Sequence, residues 1–330
     1  MQYFDKNKID KLLSYEDLVD VIEKGFNEPP NVPPRLHYSV NNPLNNSENT
    51  LQIMPAWQEG KQLGIKLITV APKNKEYNLE TINGLYLLFD SVTGLPEAIM
   101  DAKAITNWRT ACASALASKY LSRPDSQTLF MIGTGSLAPY LIKAHSAVRP
   151  IKKVLIWGRN IKKAEQIQKI INNPAIEVEV VENIEKGIKK ADIISCATLS
   201  ETPLIFGESL LIGQHIDLVG AYTPTMREAN DEVLLRSDIY VDNIEMAPKE
   251  TGDLSIPLSE GTIKLEDIKG DLFDLCSGKI EGRSSGDSIT VFKSVGHALE
   301  DLVTAQLIVE KQRVKFTNSM SLLTPERFCN

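Results

Sequence analysis

Apolar residues recur first with a period of four, then in alternation, and beyond about position 122 in short solid runs. Ser14-Tyr15-Glu16-Asp17 leads into Leu18, Ile22 and Phe26, one face of a helix with Ser14 and Asp17 as its capping box. Gly25 and then Pro29, Pro30, Pro33 and Pro34 are expected to stop this helix and extend the chain. Strands are predicted over 36–57, 61–70 and 84–90, with Thr93-Gly94 turning into a strand over 95–100. The segment 102–121 reads as a helix carrying Ala111, Ala113, Ala115 and Ala117, and that density of small side chains predicts close packing on its neighbours.

Ser122-Arg123-Pro124-Asp125 breaks the helix and marks the predicted domain boundary. Beyond it, apolar strands at 128–132, 154–157, 178–181, 192–197, 216–220 and 239–241 alternate with helical patterns such as 164–171 and 184–190. Strand and helix in alternation predict an α/β fold with a doubly wound parallel sheet. A last helix over 298–311 is expected to pack back on the N-terminal region.

At ~100–200 residues per domain, the 330-residue chain suits two: 1–121 completed by 303–330, and 122–302. A net charge of −7 argues against nucleic acid, which calls for an extended basic face. No apolar run reaches the ~18–20 residues that span a bilayer, and the polar start Met1-Gln2-Tyr3-Phe4-Asp5 lacks a secretory core, so the expected location is cytoplasmic. Cys112, Cys196, Cys276 and Cys329 stand singly, and with only four histidines the spacing offers neither a metal cage nor a disulfide framework.

The run 128–132 enters Gly133-Thr134-Gly135-Ser136-Leu137-Ala138, a G-x-G-x-x-A at a strand-to-helix junction. Gly133 permits the tight turn, Gly135 lets backbone approach a diphosphate, and Ala138 allows helix and strand to pack closely. The phosphates of a dinucleotide would lie at the helix N-terminus, where free N–H groups favour anions. The second strand ends at Gly158-Arg159-Asn160, with no carboxylate for a ribose diol; Arg159 instead suits a 2′-phosphate, pointing to NADPH over NADH. The plain alternative is a solvated basic loop.

Three cations stand out in an acidic chain. Arg35 follows two prolines, Lys66 interrupts an apolar strand between Ile65 and Leu67, and Arg109 lies in the alanine-rich helix. Lys66 reads equally as lining a cleft or as a solvated edge position, and Arg109 as a surface ion pair. Together the three suit a carboxylate.

Leu63-Gly64-Ile65-Lys66, Leu87-Leu88-Phe89-Asp90, Thr93-Gly94, Ile105-Thr106-Asn107-Trp108-Arg109-Thr110-Ala111, Gly133-Thr134-Gly135, Trp157-Gly158-Arg159, Thr290-Val291-Phe292-Lys293-Ser294-Val295-Gly296 and Leu299-Glu300-Asp301 occur in an order that resembles the ornithine cyclodeaminase/mu-crystallin family over nearly the whole chain. The resemblance implies a Rossmann domain plus an α+β substrate and dimerisation domain built from the N-terminal region and last helix, in a homodimer. It further implies that Arg35, Lys66 and Arg109 contact a substrate carboxylate, with Lys66 and Arg109 catalytic. Lys293, Val295 and Gly296 would close over the nicotinamide. Ala197, Thr198, Val219, Gly220 and Ala221 end the fourth and fifth strands of the doubly wound sheet, at the edge where a cofactor lies. Thr81 reads as a turn residue or as a hydrogen-bonding group for cofactor or substrate. Glu300 and Asp301 open the last helix and read as partners of its dipole. His37, beside Arg35, is the one histidine placed to test.

The family holds several chemistries. Its ornithine cyclodeaminases resemble one another in a Glu-Leu-Met-Pro segment and a Gly-Asp-x-Pro turn; this chain has Gln52-Ile53-Met54-Pro55 and Gly220-Ala221-Tyr222-Thr223-Pro224, without either carboxylate. Ornithine's side-chain ammonium and ammonia release both call for negative charge there. The segment from Val219 to Glu228 is similar to the ketimine reductases, which implies hydride transfer from NADPH to the C=N carbon of a cyclic imino acid: Δ1-pyrroline-2-carboxylate to L-proline, or Δ1-piperideine-2-carboxylate to L-pipecolate. Ornithine cyclodeamination, alanine dehydrogenase-type chemistry on an open-chain acid, and non-catalytic NADPH binding are the rivals; the retained cations count against the last.

Overall fold

The computed structural model describes residues 1–43 and 47–321; Cys329 and the end of the segment expected to complete the first domain lie outside them. By packing, Met1–Val21, Pro29–Arg109 and the described residues from Ala298 form one unit, and Ile22–Glu28 with Thr110–His297 a second.

The first unit is a six-stranded sheet with β1 (Gln2–Phe4), β2 (Leu36–Asn42), β3 (Ser47–Trp57), β4 (Gln62–Val70), β5 (Ile82–Asp90) and β6 (Pro96–Asp101). Their order is β1-β6-β5-β4-β3-β2, antiparallel except for β1 on β6. The predicted strand over 36–57 is thus a hairpin of two. At the Thr93-Gly94 turn the Asp90 carboxylate accepts from Val92 N at 3.0 Å and from Thr93 N at 2.7 Å, an Asx-type turn.

Side chains alternate across this sheet, so register decides what each face carries. Met54, Lys66, Tyr86 and Met100 are paired across β3, β4, β5 and β6, and all four are buried. The helix Ala298–Ser321, ten residues longer than expected, packs on β3 and β4. The opposite row, Leu36, Ile53, Leu67 and Leu85, is only half-buried or exposed.

The second unit is an eight-stranded parallel sheet: β7 (Thr128–Ile132), β8 (Lys153–Trp157), β9 (Glu177–Val180), β10 (Ile193–Cys196), β11 (His215–Leu218), β12 (Asp238–Val241), β13 (Ile268–Asp271) and β14 (Thr290–Lys293). The order is β13-β12-β14-β11-β10-β7-β8-β9. Phe130, Ile132, Leu155, Ile194, Ile216, Leu218 and Val291 form its apolar centre. This is the Rossmann-type sheet expected, with two further strands: β14 enters between β11 and β12, and β13 extends the edge.

The alanine-rich helix is Ala102–Leu121, buried from Trp108 to Ser118 on every side. The division between units falls inside it, between Arg109 and Thr110, and not at Ser122. Its first turns belong with the first unit: Trp108 stacks on Tyr15 at 4.4 Å between ring centroids and donates to Asp10 at 2.7 Å. Its C-terminal carbonyls are met by guanidinium groups, Arg149 donating to Ser118 O at 2.9 Å and Arg283 to Leu121 O at 2.6 Å. The helix Tyr15–Asn27 runs through Gly25, and Ser14 caps it by accepting from Asp17 N at 3.3 Å. Its last turns belong to the second unit because Phe26 packs edge-on against Phe273 and Tyr120 donates to Glu23. Cys112 and Cys196 are fully buried as small apolar groups. Among the described residues no helix is long and apolar enough to cross a membrane.

Candidate active site

In the first unit β4 aims Lys66 at the last helix, and a lysine with 3% exposure needs a counter-charge. Its ammonium lies 2.6 Å from Asp301 Oδ2. Arg109 completes the cluster, with Nη1 2.8 Å from Glu300 Oε2 and Nε 3.4 Å from Asp301 Oδ1. Glu300 and Asp301 are therefore fully buried ion partners, a correction to their reading as dipole partners alone. First-turn acids suggest a dipole role in any sequence; only the packing of the last helix on β4 shows what they face.

Burial lowers the Lys66 pKa to about 8; Asp301 opposes this, while the charges of Arg109 and Arg35 add to it. Arg35 is half-buried just before β2, so the structure brings all three expected cations into one electrostatic neighbourhood. Tyr86 lies directly across from Lys66 on β5, its hydroxyl buried without a hydrogen-bond partner among the described residues. Burial, with Asp301 adding, pushes its phenol well up. That ring sits over Gly64, where a β-carbon would lie 1.8 Å from Tyr86 Oη, so any larger residue there must displace the tyrosine.

His37 is exposed on β2, its Nε2 2.8 Å from Nε2 of Gln52, the residue standing where cyclodeaminases carry an acid. Burial and Arg35 lower the His37 pKa. Thr81 precedes β5 and its carbonyl accepts from Ala71 N at 2.8 Å, so its backbone closes the β4–β5 connection.

In the second unit β7 delivers Gly133 with φ +121°, and a β-carbon there would meet Ala197 O at 2.5 Å. Gly135 is open, with nothing within 4 Å of where a β-carbon would stand. The helix Ala138–Val148 starts after Leu137 with no side-chain cap. Ala138 N donates to Gly135 O at 3.2 Å, Pro139 has no N–H and Tyr140 N donates to Leu137 O at 3.0 Å, so an anion would be met by the glycine turn that precedes the helix. These features fit a dinucleotide diphosphate. Thr134 packs against Gly158, where a β-carbon would lie 2.5 Å from Thr134 Cγ2, while Ser136 is exposed. Arg159 is exposed at the end of β8, and Asn160 caps the helix Ile161–Ile170 by accepting from Lys163 N.

The loops after β10 and β11 hold Ala197, Thr198, Val219, Gly220 and Ala221, and they are tied by a residue the sequence reading passed over. The buried Glu228 carboxylate accepts from Thr198 N at 2.7 Å and Thr198 Oγ1 at 2.9 Å through one oxygen. Through the other it accepts from Gly220 N at 2.7 Å and Ala221 N at 3.3 Å. Lys293, expected to cover the cofactor, is instead fully buried, its ammonium 3.0 Å from Asp253 Oδ2 and 3.9 Å from Glu228 Oε2. Val295 N and Gly296 N donate to Asp242 Oδ2 at 2.7 and 2.5 Å, which fixes the loop after β14. Among the described residues no group of three or more His, Cys, Asp or Glu is placed to hold a metal ion.

A parallel sheet with this glycine turn and uncapped helix, joined in one chain to a buried cluster of cations and carboxylates, defines a nicotinamide dinucleotide-dependent oxidoreductase. The chain belongs to the ornithine cyclodeaminase/mu-crystallin family, whose model matches residues 3–315. A Δ(1)-pyrroline-2-carboxylate reductase of Colwellia psychrerythraea is 38% identical to it, over 94% of this chain and 99% of its own. The reductase of the same name from Thermococcus litoralis, solved with NADH and L-proline, superimposes with a TM-score of 0.87 at 32% identity, over 94% of this chain and 97% of that one. An archaeal alanine dehydrogenase dimer with bound NAD gives 0.87 at 28% identity, over 95% and 96%.

Proposed function

We propose that the protein reduces cyclic 2-imino acids, Δ1-pyrroline-2-carboxylate to L-proline and Δ1-piperideine-2-carboxylate to L-pipecolate, with NADPH preferred to NADH. It is an oxidoreductase of CH–NH/C=N bonds, as its reductase relatives are. The observation that carries the substrate class is the gathering of cations in the first unit. Lys66 and Arg109 are buried against Asp301 and Glu300, and the charge of Arg35 reaches Lys66, so three cations collect where a substrate carboxylate would be held. Gln52 and the Ala221-Tyr222-Thr223 turn both lack the acid that a cationic side chain such as ornithine's calls for.

Bound, the nicotinamide supplies the hydride. Gly133, Thr134, Gly135 and the N–H groups of Ser136 and Leu137 would hold the diphosphate, with Ala138 buried behind the turn and its N–H on Gly135 O, and Arg159 a 2′-phosphate. Arg35 and Arg109 would hold the substrate carboxylate and fix which face of the C=N bond is presented. Lys66, charged below about pH 8, donates the proton that the imine nitrogen takes up, and Asp301 orients its ammonium. NADPH oxidation with a panel of five- and six-membered cyclic imino acids tests the reading. Faster turnover of pyruvate with ammonia would move the activity to the alanine dehydrogenase class, which the archaeal neighbour represents.

A homodimer is part of this reading. Leu36, Tyr38 and Val40 of β2 are 45%, 50% and 48% exposed on the face opposite Lys66, a contiguous apolar strip suited to a second copy. Light scattering of the purified protein against Tyr38→Asp tests it; a wild-type monomer would overturn it.

A further inference from the structure

Glu228, Asp253 and Lys293 come from three separate segments of the second unit, and all are at most 1% exposed. Burying three charges is costly unless each is held by partners. The Asp253 carboxylate accepts from Glu228 N at 2.7 Å and Ala229 N at 3.2 Å, and its other oxygen meets Lys293. Glu228 then spends both oxygens on the ends of two neighbouring strands. Gly220 is so close to Thr198 that a β-carbon would lie 2.0 Å from Thr198 O, so the two loops have no slack to find another spacing.

We propose that Glu228, Lys293 and Asp253 are positioning residues for the nicotinamide end of the cofactor. The Glu228 carboxylate clips the loops after β10 and β11 together, and Lys293, braced by Asp253, neutralises it. The inference rests on the nicotinamide cofactor and is independent of the imino-acid substrate. Only an ionised carboxylate presents acceptors to all four donors; a protonated one would turn a hydroxyl toward an N–H group. Burial pushes the Glu228 carboxyl up and Lys293 opposes that, while Asp253 adds to the rise; Cys196 also faces the carboxylate. Against that rise the nearby Lys293 favours the accepting form, in which the four donors are met.

The test compares binding of NADPH, NADH and ADP-ribose, which lacks nicotinamide, to the full-length protein without substrate, by cofactor fluorescence and calorimetry. In Glu228→Gln and Lys293→Met, affinity for both reduced cofactors should fall roughly tenfold while ADP-ribose binding is unchanged, and Lys293→Arg should restore it in part. Thr198→Val removes a single link to Glu228 and should weaken reduced-cofactor binding roughly threefold in a protein that still folds. Equal loss of all three ligands, or no loss of any, would overturn the assignment and leave the triad as core packing. A wild-type protein that binds ADP-ribose but neither reduced cofactor would overturn the cofactor reading itself.

Discussion

Lys66 and Asp301 lie 235 positions apart in the chain and 2.6 Å apart in the structure, with both side chains at most 3% exposed. Asp301 is what allows an ammonium to remain under the last helix, and it draws the Lys66 pKa upward against burial. Two measurements should therefore move in opposite directions with pH. With protonated Lys66 as the proton donor of the proposed reaction, kcat/KM should fall as pH rises through about 8. Stability should rise over the same window, because from about 8 to 10.5 the folded protein has released a proton that the unfolded chain still holds. Asp301→Asn should shift the activity limb to lower pH, read from pH–rate profiles, and lower stability by about 3–5 kcal/mol in urea titrations. An unshifted limb would remove Lys66 as the donor.

Arg109→Ala should lose about 1.5–3 kcal/mol of substrate binding for the charged hydrogen bond it forfeits, seen as a raised KM. It also strands Glu300, so Arg109→Lys is the fairer probe: charge is kept, the planar fork lost. Full activity in both variants would place the carboxylate elsewhere.

Arg159 is exposed and carries the cofactor preference in this reading. Arg159→Ala should weaken NADPH by about 1.5–3 kcal/mol and leave NADH within twofold, measured as the ratio of the two dissociation constants. A tenfold preference for NADH in the wild type would end the argument.

Tyr86 offers a stability test. Its buried hydroxyl has no partner among the described residues, so Tyr86→Phe should raise stability by about 1 kcal/mol or leave it unchanged. Gly64→Ala should destabilise by about 1–3 kcal/mol, because the tyrosine ring fills the space a methyl group would take. Thermal unfolding of both variants decides the point.

Much of this site is visible in one sequence. Lys66 shares strand parity with Gly64 and Ile68, the buried face of β4, and the glycine turn follows a solid apolar strand. Other parts are hidden for definite reasons. Thr290-Val291-Phe292-Lys293 is four residues long and ends in a charge, so nothing local marks it as an internal strand. Glu228 sits in a loop between Arg227 and Ala229 with no periodic pattern around it, and its worth comes from donors in two other loops. The helix boundary at Ser122 is plain from Pro124, but packing divides the helix earlier, where Trp108 and Arg109 find their partners. Local patterns specify elements; long-range ion pairs have no local signature.

The place of β14 in the sheet bears on how the second unit comes into being. Val291 lies between Ile216 of β11 and Ile239 of β12, so an inner strand is the last of the eight to be made. On the ribosome, β12 and β13 emerge with no sheet edge to join until β14 follows them. Such non-local parallel pairing makes folding slow and leaves the β11 edge exposed in the meantime. Nascent chains stalled before Thr290 should therefore depend on chaperones and aggregate when released, whereas chains extended past Lys293 should not.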